Sequence, residues 1–291
     1  MKKRYILYIA VAIVCVVAII LGVYYQVFMD KPEKVAATNE VKTSTTEKKV
    51  DDPEELKEEF YELFDNEFKA QENDTSIIKK LELVEDGIDY QQEDPIFARY
   101  VFTDEKEGKY SMDINLPIFN VQGSVPAKFN EATQTIFANK VNDIFASNTN
   151  QYTVYNLDFV GYLNDNILSL VIKSTLKEGS NPQRLIVQTY NYNVETGEEV
   201  KLNDILEEQE YDLKEVNSKI EAQIKEANRQ AEAVAEAMAL TGQNVYERDV
   251  NNAMYVTDNV KYFFVGENGQ IYILYPYGNS EFTAEIDIIK L

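Results

Sequence analysis

Apolar residues follow three patterns along this chain: one unbroken run, several helical stripes, and paired runs that alternate. The unbroken run is residues 5–28, which carry no charge, and Ile6 to Val23 are almost wholly Ile, Val, Leu and Ala. A helix needs about 20 such residues to cross a bilayer, so the run predicts one N-terminal transmembrane helix. The first helical stripe is Leu56, Phe60, Leu63, Phe64 and Phe68, with Glu54, Glu55, Glu58, Glu59 and Glu62 around the rest of the surface. Asp52 suits its N-cap and Pro53 its first turn, so an amphipathic helix is expected over 52–72.

Two stretches of similar plan come next. In the first, strand-like runs at 77–84, 97–103 and 110–121 precede a helix that starts near Pro126. Phe129, Ala132, Ile136, Phe137, Val141, Ile144 and Phe145 form the helix's apolar face. Runs at 152–162 and 167–176 are then joined by a turn at Leu163-Asn164-Asp165-Asn166. The second stretch opens with a Tyr-rich run at 184–194, turned back toward Val200 by Glu195-Thr196-Gly197. A short helical turn at 203–206 leads to a long helix from Asp212. Leu213, Val216, Ile220, Ile224, Ala227, Ala231, Val234 and Met238 step along it by three or four. That helix should stop near Thr241-Gly242, where glycine suits the C-terminal position. A hairpin at 260–265 and 270–275 and a closing strand at 281–289 complete the pattern. Hairpins with one long helix per stretch predict an α+β fold, with antiparallel sheets and helices packed on one face.

Charge sets the topology. Lys2, Lys3 and Arg4 precede the apolar run, whereas Asp30, Lys31, Glu33 and Lys34 behind it roughly cancel. Positive charge stays inside, which puts residues 1–4 in the cytoplasm as a stub and the bulk of the chain outside. Val23 to Phe28 are bulky and offer no small-x-small cleavage site, so the run reads as an uncleaved, single-pass anchor of Gram-positive type. Cys15 sits mid-span and reads as an inert thiol, and Tyr8 and Gly22 give only slight support to assembly with another membrane protein. Residues 29–51 are polar and aperiodic, a flexible linker of roughly 25 Å. The folded part is then 76–180 and 181–291, two α+β domains or one packed unit. Lys and Arg number 28, three of them before the span, while all 50 Asp and Glu lie beyond it. The outer part is therefore net −25, which excludes nucleic acid as a partner and favours cationic ones.

Candidate chemistry is sparse. The chain has no His, and its one Cys is in the span, so His-based nucleophilic machinery and thiolate metal sites are excluded. No cofactor or metal is expected. Asp249, Asn251, Asn252, Asp258 and Asn259 are rich in oxygen but lack a regular calcium-loop spacing. An enzyme would have to work through paired carboxylates, as for wall glycans, or through an oxygen-ligated metal. Tyr190, Tyr192, Tyr275 and Tyr277 are candidates for a binding face, since tyrosine joins contact area to a polar tip. Sheet packing is the alternative reading of the same four.

Tyr190-Asn191-Tyr192-Asn193, Thr196-Gly197, Leu202-Asn203-Asp204-Ile205-Leu206 and Leu274-Tyr275-Pro276-Tyr277 follow in that order. This resembles the extracytoplasmic domain shared by RsiV-type lysozyme-sensing anti-sigma factors and some peptidoglycan deacetylases. Leu116-Pro117-Ile118, Phe129-Asn130 and Ile167-Leu168-Ser169-Leu170 are similar to the smaller domain that precedes it. The resemblance covers about 77–291. It implies an α+β fold, a non-catalytic role, and a partner such as lysozyme or another extracellular or cell-wall ligand. Met1 to Arg4 leave no room for a sigma-binding domain, and the lack of His removes the deacetylase chemistry. A binding module is the expectation that remains.

Overall fold

A computed structural model describes residues 50–64, 73–75, 78–83, 94–147, 151–240, 244–277 and 284–291. The predicted span, most of the linker, Phe68 and Thr241-Gly242 lie outside these residues. Among the described residues no helix is long and apolar enough to cross a membrane. Residues 49–291 form a single unit.

Helix α1 is Pro53–Glu62. Asp52 caps it as expected, its Oδ1 accepting the Glu54 N–H at 3.0 Å, and Glu54 and Glu55 suit the positive end of the dipole. Leu56, Phe60 and Phe64 are buried, so the predicted stripe is the packed one.

Strands β1 (Ile96–Lys106) and β2 (Tyr110–Phe119) form a hairpin, turning at Gly108 with φ +70°. Helix α2 (Ser124–Thr133), a five-residue π segment (Gln134–Ala138) and helix α3 (Asn139–Ala146) run on without a break. They return the chain to β3 (Thr153–Asn164), which pairs with β2 in parallel. That pairing departs from the all-antiparallel expectation, and the crossover helix is its physical cause, because a helix brings the chain back to the end where it started. Antiparallel β4 (Ile167–Glu178) and β5 (Arg184–Asn193) complete a five-stranded sheet in sequence order.

The strand expected at 77–84 does not form among its described residues, 78–83. Leu81 and Leu83 point inward, as strand residues would, but their backbone is held by helix side chains instead of a strand. The Gln134 side chain bonds Leu83 N and Leu81 O at 2.7 and 3.1 Å, and Asn142 bonds Leu81 N and O at 2.8 and 3.1 Å.

After β5, helix α4 (Leu202–Glu208) and helix α5 (Leu213–Leu240) precede a three-stranded antiparallel sheet. Its strands are β6 (Tyr262–Val265), β7 (Ile271–Pro276) and β8 (Ile286–Lys290), in that order. The apolar stripe of α5 is buried only from Val216 to Ala227; Leu213 and Val234 are exposed. Strand β7 takes in Pro276 instead of stopping at Tyr275, as Pro276 pairs with Ile286.

Helices do not sit on one face alone. α2 and α3 cover one face of the large sheet, and α4 and α5 cover the outer face of the small one. Between the sheets, β4 and β5 face β6–β8 with α1 as a third party. Strand β4 explains the difference: Leu168 to Ile172 are all buried, so both its faces need cover. The outer edge of β6 meets side chains of the large sheet. Asn191 Nδ2 donates to Phe263 O at 2.9 Å, while Thr189 Oγ1 and Ser169 Oγ accept from Phe263 N and Val265 N at 3.2 and 3.1 Å.

Candidate functional site

Three turns and one short helix meet at one end of the two sheets. The β3–β4 turn passes through Asp165 at φ +48°, and the β6–β7 turn through Asn268 at φ +56°, a left-handed geometry that Asp and Asn tolerate best after Gly. Asn164 locks the turns together: its Nδ2 donates to Val265 O and Gly266 O at 3.2 and 2.9 Å, and its Oδ1 accepts from Gly269 N at 3.1 Å. The turn after β5 lies beside them, because Ile167 at the start of β4 pairs with Asn193 at the end of β5. α4 closes the fourth side. Lys201 N donates to Asp204 Oδ2 at 3.0 Å, fixing the start of α4.

These elements enclose an open groove of about 930 Å³. Asp165, Glu195, Glu208 and Glu267 stand around it, and no Lys or Arg is among the described residues that line it. Tyr162, Ile167, Ile205 and Val265 supply apolar lining, and Leu163, 58 % exposed, stands at the rim. Burial, with Glu267 and Tyr272 nearby, pushes the Tyr162 phenol up to about 12. Asn166 Nδ2 donates to Glu195 Oε2 at 2.6 Å, so one carboxylate is already oriented. Such a site offers carboxylate acceptors to a cationic group and apolar area to the chain that carries it.

The four predicted tyrosines do not gather there. Tyr190 and Tyr192 share a face, as strand alternation requires, but that face is packed under α2. The Tyr190 ring lies 4.6 Å from Phe129, and its hydroxyl is 3.2 Å from Thr133 Oγ1. Tyr275 packs under α5, 4.9 Å from the Tyr255 ring. The Tyr277 hydroxyl is 3.3 Å from that of Tyr255. All four are buried, the two pairs in different layers.

Two buried carboxylates away from the groove already have partners. Asp287 on β8 is 7 % exposed and takes both arms of Arg248, Nε–Oδ2 at 2.7 Å and Nη2–Oδ1 at 2.9 Å. Burial pushes its carboxyl up, against the pull of that guanidinium. Burial also raises Asp158, which accepts from Phe159 N and Asn115 Nδ2 at 2.8 and 2.7 Å. These two sit on different sheets, so they do not face each other as a glycosidase pair would. In the polar loop, Asp249 Oδ1 accepts from Asn251 N, Asn252 Oδ1 from Met254 N, and Asp258 Oδ1 from Asn203 Nδ2. Among the described residues no group of three or more acidic side chains is placed to hold a metal.

Sequence reasoning did not single out the groove carboxylates. A signal existed: Asp165, Glu195 and Glu267 each lie in a turn between apolar runs. Which turns share an end of the molecule is decided by strand pairing.

No family model matches the chain, and no curated protein matches it. Among solved structures, it is similar to a DUF3298 family protein from Pseudomonas aeruginosa PAO1, with TM-score 0.39 and 10 % identity over 69 % of this chain and 92 % of that one. It is also similar to a DUF3298 family member from Bacteroides fragilis NCTC 9343, with TM-score 0.28 and 10 % identity over 62 % of this chain and 80 % of that one.

Proposed function

We propose that this protein is a membrane-anchored, extracytoplasmic binding module without catalytic activity. It recognises a cationic protein, lysozyme being the first to try, or a cell-wall ligand. The observation that carries the reading is the groove at the turn ends, open, partly apolar, and edged by four carboxylates with no cation among its described lining residues. The uncharged run at 5–28 and the resemblance to RsiV-type sensor domains support the tethered, outward-facing part. Carboxylates clustered on one site raise both the encounter rate and the selectivity for a cationic partner.

The test is a titration of the full-length protein in detergent with lysozyme and with muropeptides. It is run at 150 mM salt, where long-range attraction is screened beyond about 8 Å. The triple variant Asp165→Asn, Glu208→Gln, Glu267→Gln serves as comparison. Saturable binding of either ligand, weakened tenfold or more by the variant, is expected. Affinity for both no better than that of an unrelated protein of equal negative charge, or an unchanged affinity in the variant, rules the reading out.

A further inference from the structure

We propose that α1 is a keystone that couples the packing between the two sheets to the groove. Its apolar face is set between the two sheets. Leu56, Phe60 and Phe64 share one cluster with Val171, Leu185 and Val187 of the large sheet and with Phe264, Leu274 and Ile288 of the small one. Removing the helix strips three apolar side chains from the layer that joins the sheets.

An aromatic series leads from that layer to the groove. The Phe60 ring lies 6.4 Å from Phe264, and Phe264 stacks on Tyr162 at 5.9 Å with 14° between the planes. Tyr162 lines the groove. The residue after Phe264 is Val265, whose carbonyl accepts from Asn164, the side chain that ties the two turns together. β6 is therefore the element both ends touch: α1 packs on its Phe264, and the groove is partly built from its Val265.

At the start of α1 the buried Gln223 Nε2 donates to Asp51 O at 2.7 Å, and the other contacts are ion pairs and a cation–π contact at a partly solvated rim. Lys57 reaches Glu285 at 2.7 Å, Lys290 reaches Glu59 at 2.8 Å, Lys219 reaches Asp51 at 3.5 Å, and Lys173 lies 4.2 Å over the Phe64 ring. Such pairs are individually weak and screened by salt, so α1 combines a buried face with a releasable rim. The seated helix holds the sheets in register. A ligand that fills the groove must, by reciprocity, favour the seated helix by the same factor as the seated helix favours the ligand. That last clause rests on the groove being a binding site; the coupling of α1 to β6 does not.

Hydrogen exchange on the full-length protein tests the coupling with no ligand present, so its failure is distinct from failure of the binding role. In Phe60→Ala, amides of α1, of β6 and of the turn at 266–269 are expected to exchange at least tenfold faster, while those of β2 and α3 stay within twofold. The double variant Lys57→Ala, Lys290→Ala leaves the core intact and should show the same pattern with a smaller rise. It carries the test should Phe60→Ala fail to fold. Acceleration confined to α1, or an equal rise in all elements including β2 and α3, overturns the proposal.

Discussion

The two sheets are stabilised in different ways. The five-stranded sheet has a cover of its own, α2 and α3, drawn from the same stretch of chain between β2 and β3. Strand β2 buries Tyr110, Met112, Ile114 and Leu116 in that core in alternation, and Pro117 to Phe119 are then buried without a break. The three-stranded sheet is too narrow to stand alone and borrows from its neighbour. The bare edge of β6 is satisfied by Ser169, Thr189 and Asn191, and Ser169 Oγ further donates to Asn191 Oδ1 at 2.7 Å. A backbone edge left open inside a protein costs as much as the lost hydrogen bonds, and side chains here replace the missing strand. A small sheet can thus be finished by polar residues of a larger one, at the cost of depending on it.

Alkali should break both layers and give the largest effect. Burial pushes the Tyr110 and Tyr190 phenols up to about 12 in the large-sheet layer, and raises Tyr155 there and Tyr255 and Tyr275 in the small-sheet layer. Their ordinary value is 10. The folded state therefore holds these protons more tightly than the unfolded one. The stability they contribute is complete below pH 10 and falls as the pH rises toward 12. The share of tyrosinate absorbance that these five phenols contribute should appear together with the loss of circular dichroism, in one cooperative step. Ionisation of all the tyrosines near pH 10 with the fold intact would contradict the burial of these five.

The next effect separates the layers. Arg248→Ala leaves Asp287 buried on β8 without its counter-charge, which should cost about 3–5 kcal/mol in urea unfolding. The double change Arg248→Met, Asp287→Leu should cost less than Arg248→Ala alone, because no orphan charge is left. A loss below about 1 kcal/mol for Arg248→Ala would mean that water reaches the pair. The smallest effect probes the borrowed edge. Asn191→Ala orphans the Phe263 carbonyl and should cost about 1–3 kcal/mol. Its amide exchange should rise in β6 and not in β1, and a rise in β1 instead would show that the dependence runs the other way.

Much of the fold was legible because it is local. The Asp52 cap, the Leu56–Phe60–Phe64 stripe, the hairpin turn at Asp165, the Gly197 turn and the Val216–Ala227 face of α5 each follow from spacing within about a dozen residues. The parallel β2–β3 pair was not legible, since alternation reads the same in parallel and antiparallel strands. Leu81 and Leu83 carried a strand-like pattern whose partners, Gln134 and Asn142, lie more than fifty residues away. Tyr190, Tyr192, Tyr275 and Tyr277 show the limit most plainly. Tyrosine suits a binding face and a packed sheet equally, and only the arrival of α2, of α5 and, at Tyr277, of Tyr246 and Tyr255 makes them core.

By itself, then, the sequence determined most of the elements and their order, the acidity of everything beyond the apolar run, and the absence of histidine chemistry, because these depend on residue type and short-range period. The tertiary structure alone decided which turns meet, that Asp165, Glu195, Glu208 and Glu267 surround one groove, and that α1 lies between two sheets. Those outcomes depend on strand order and on which apolar faces find each other, and both are set by contacts between residues far apart in the chain.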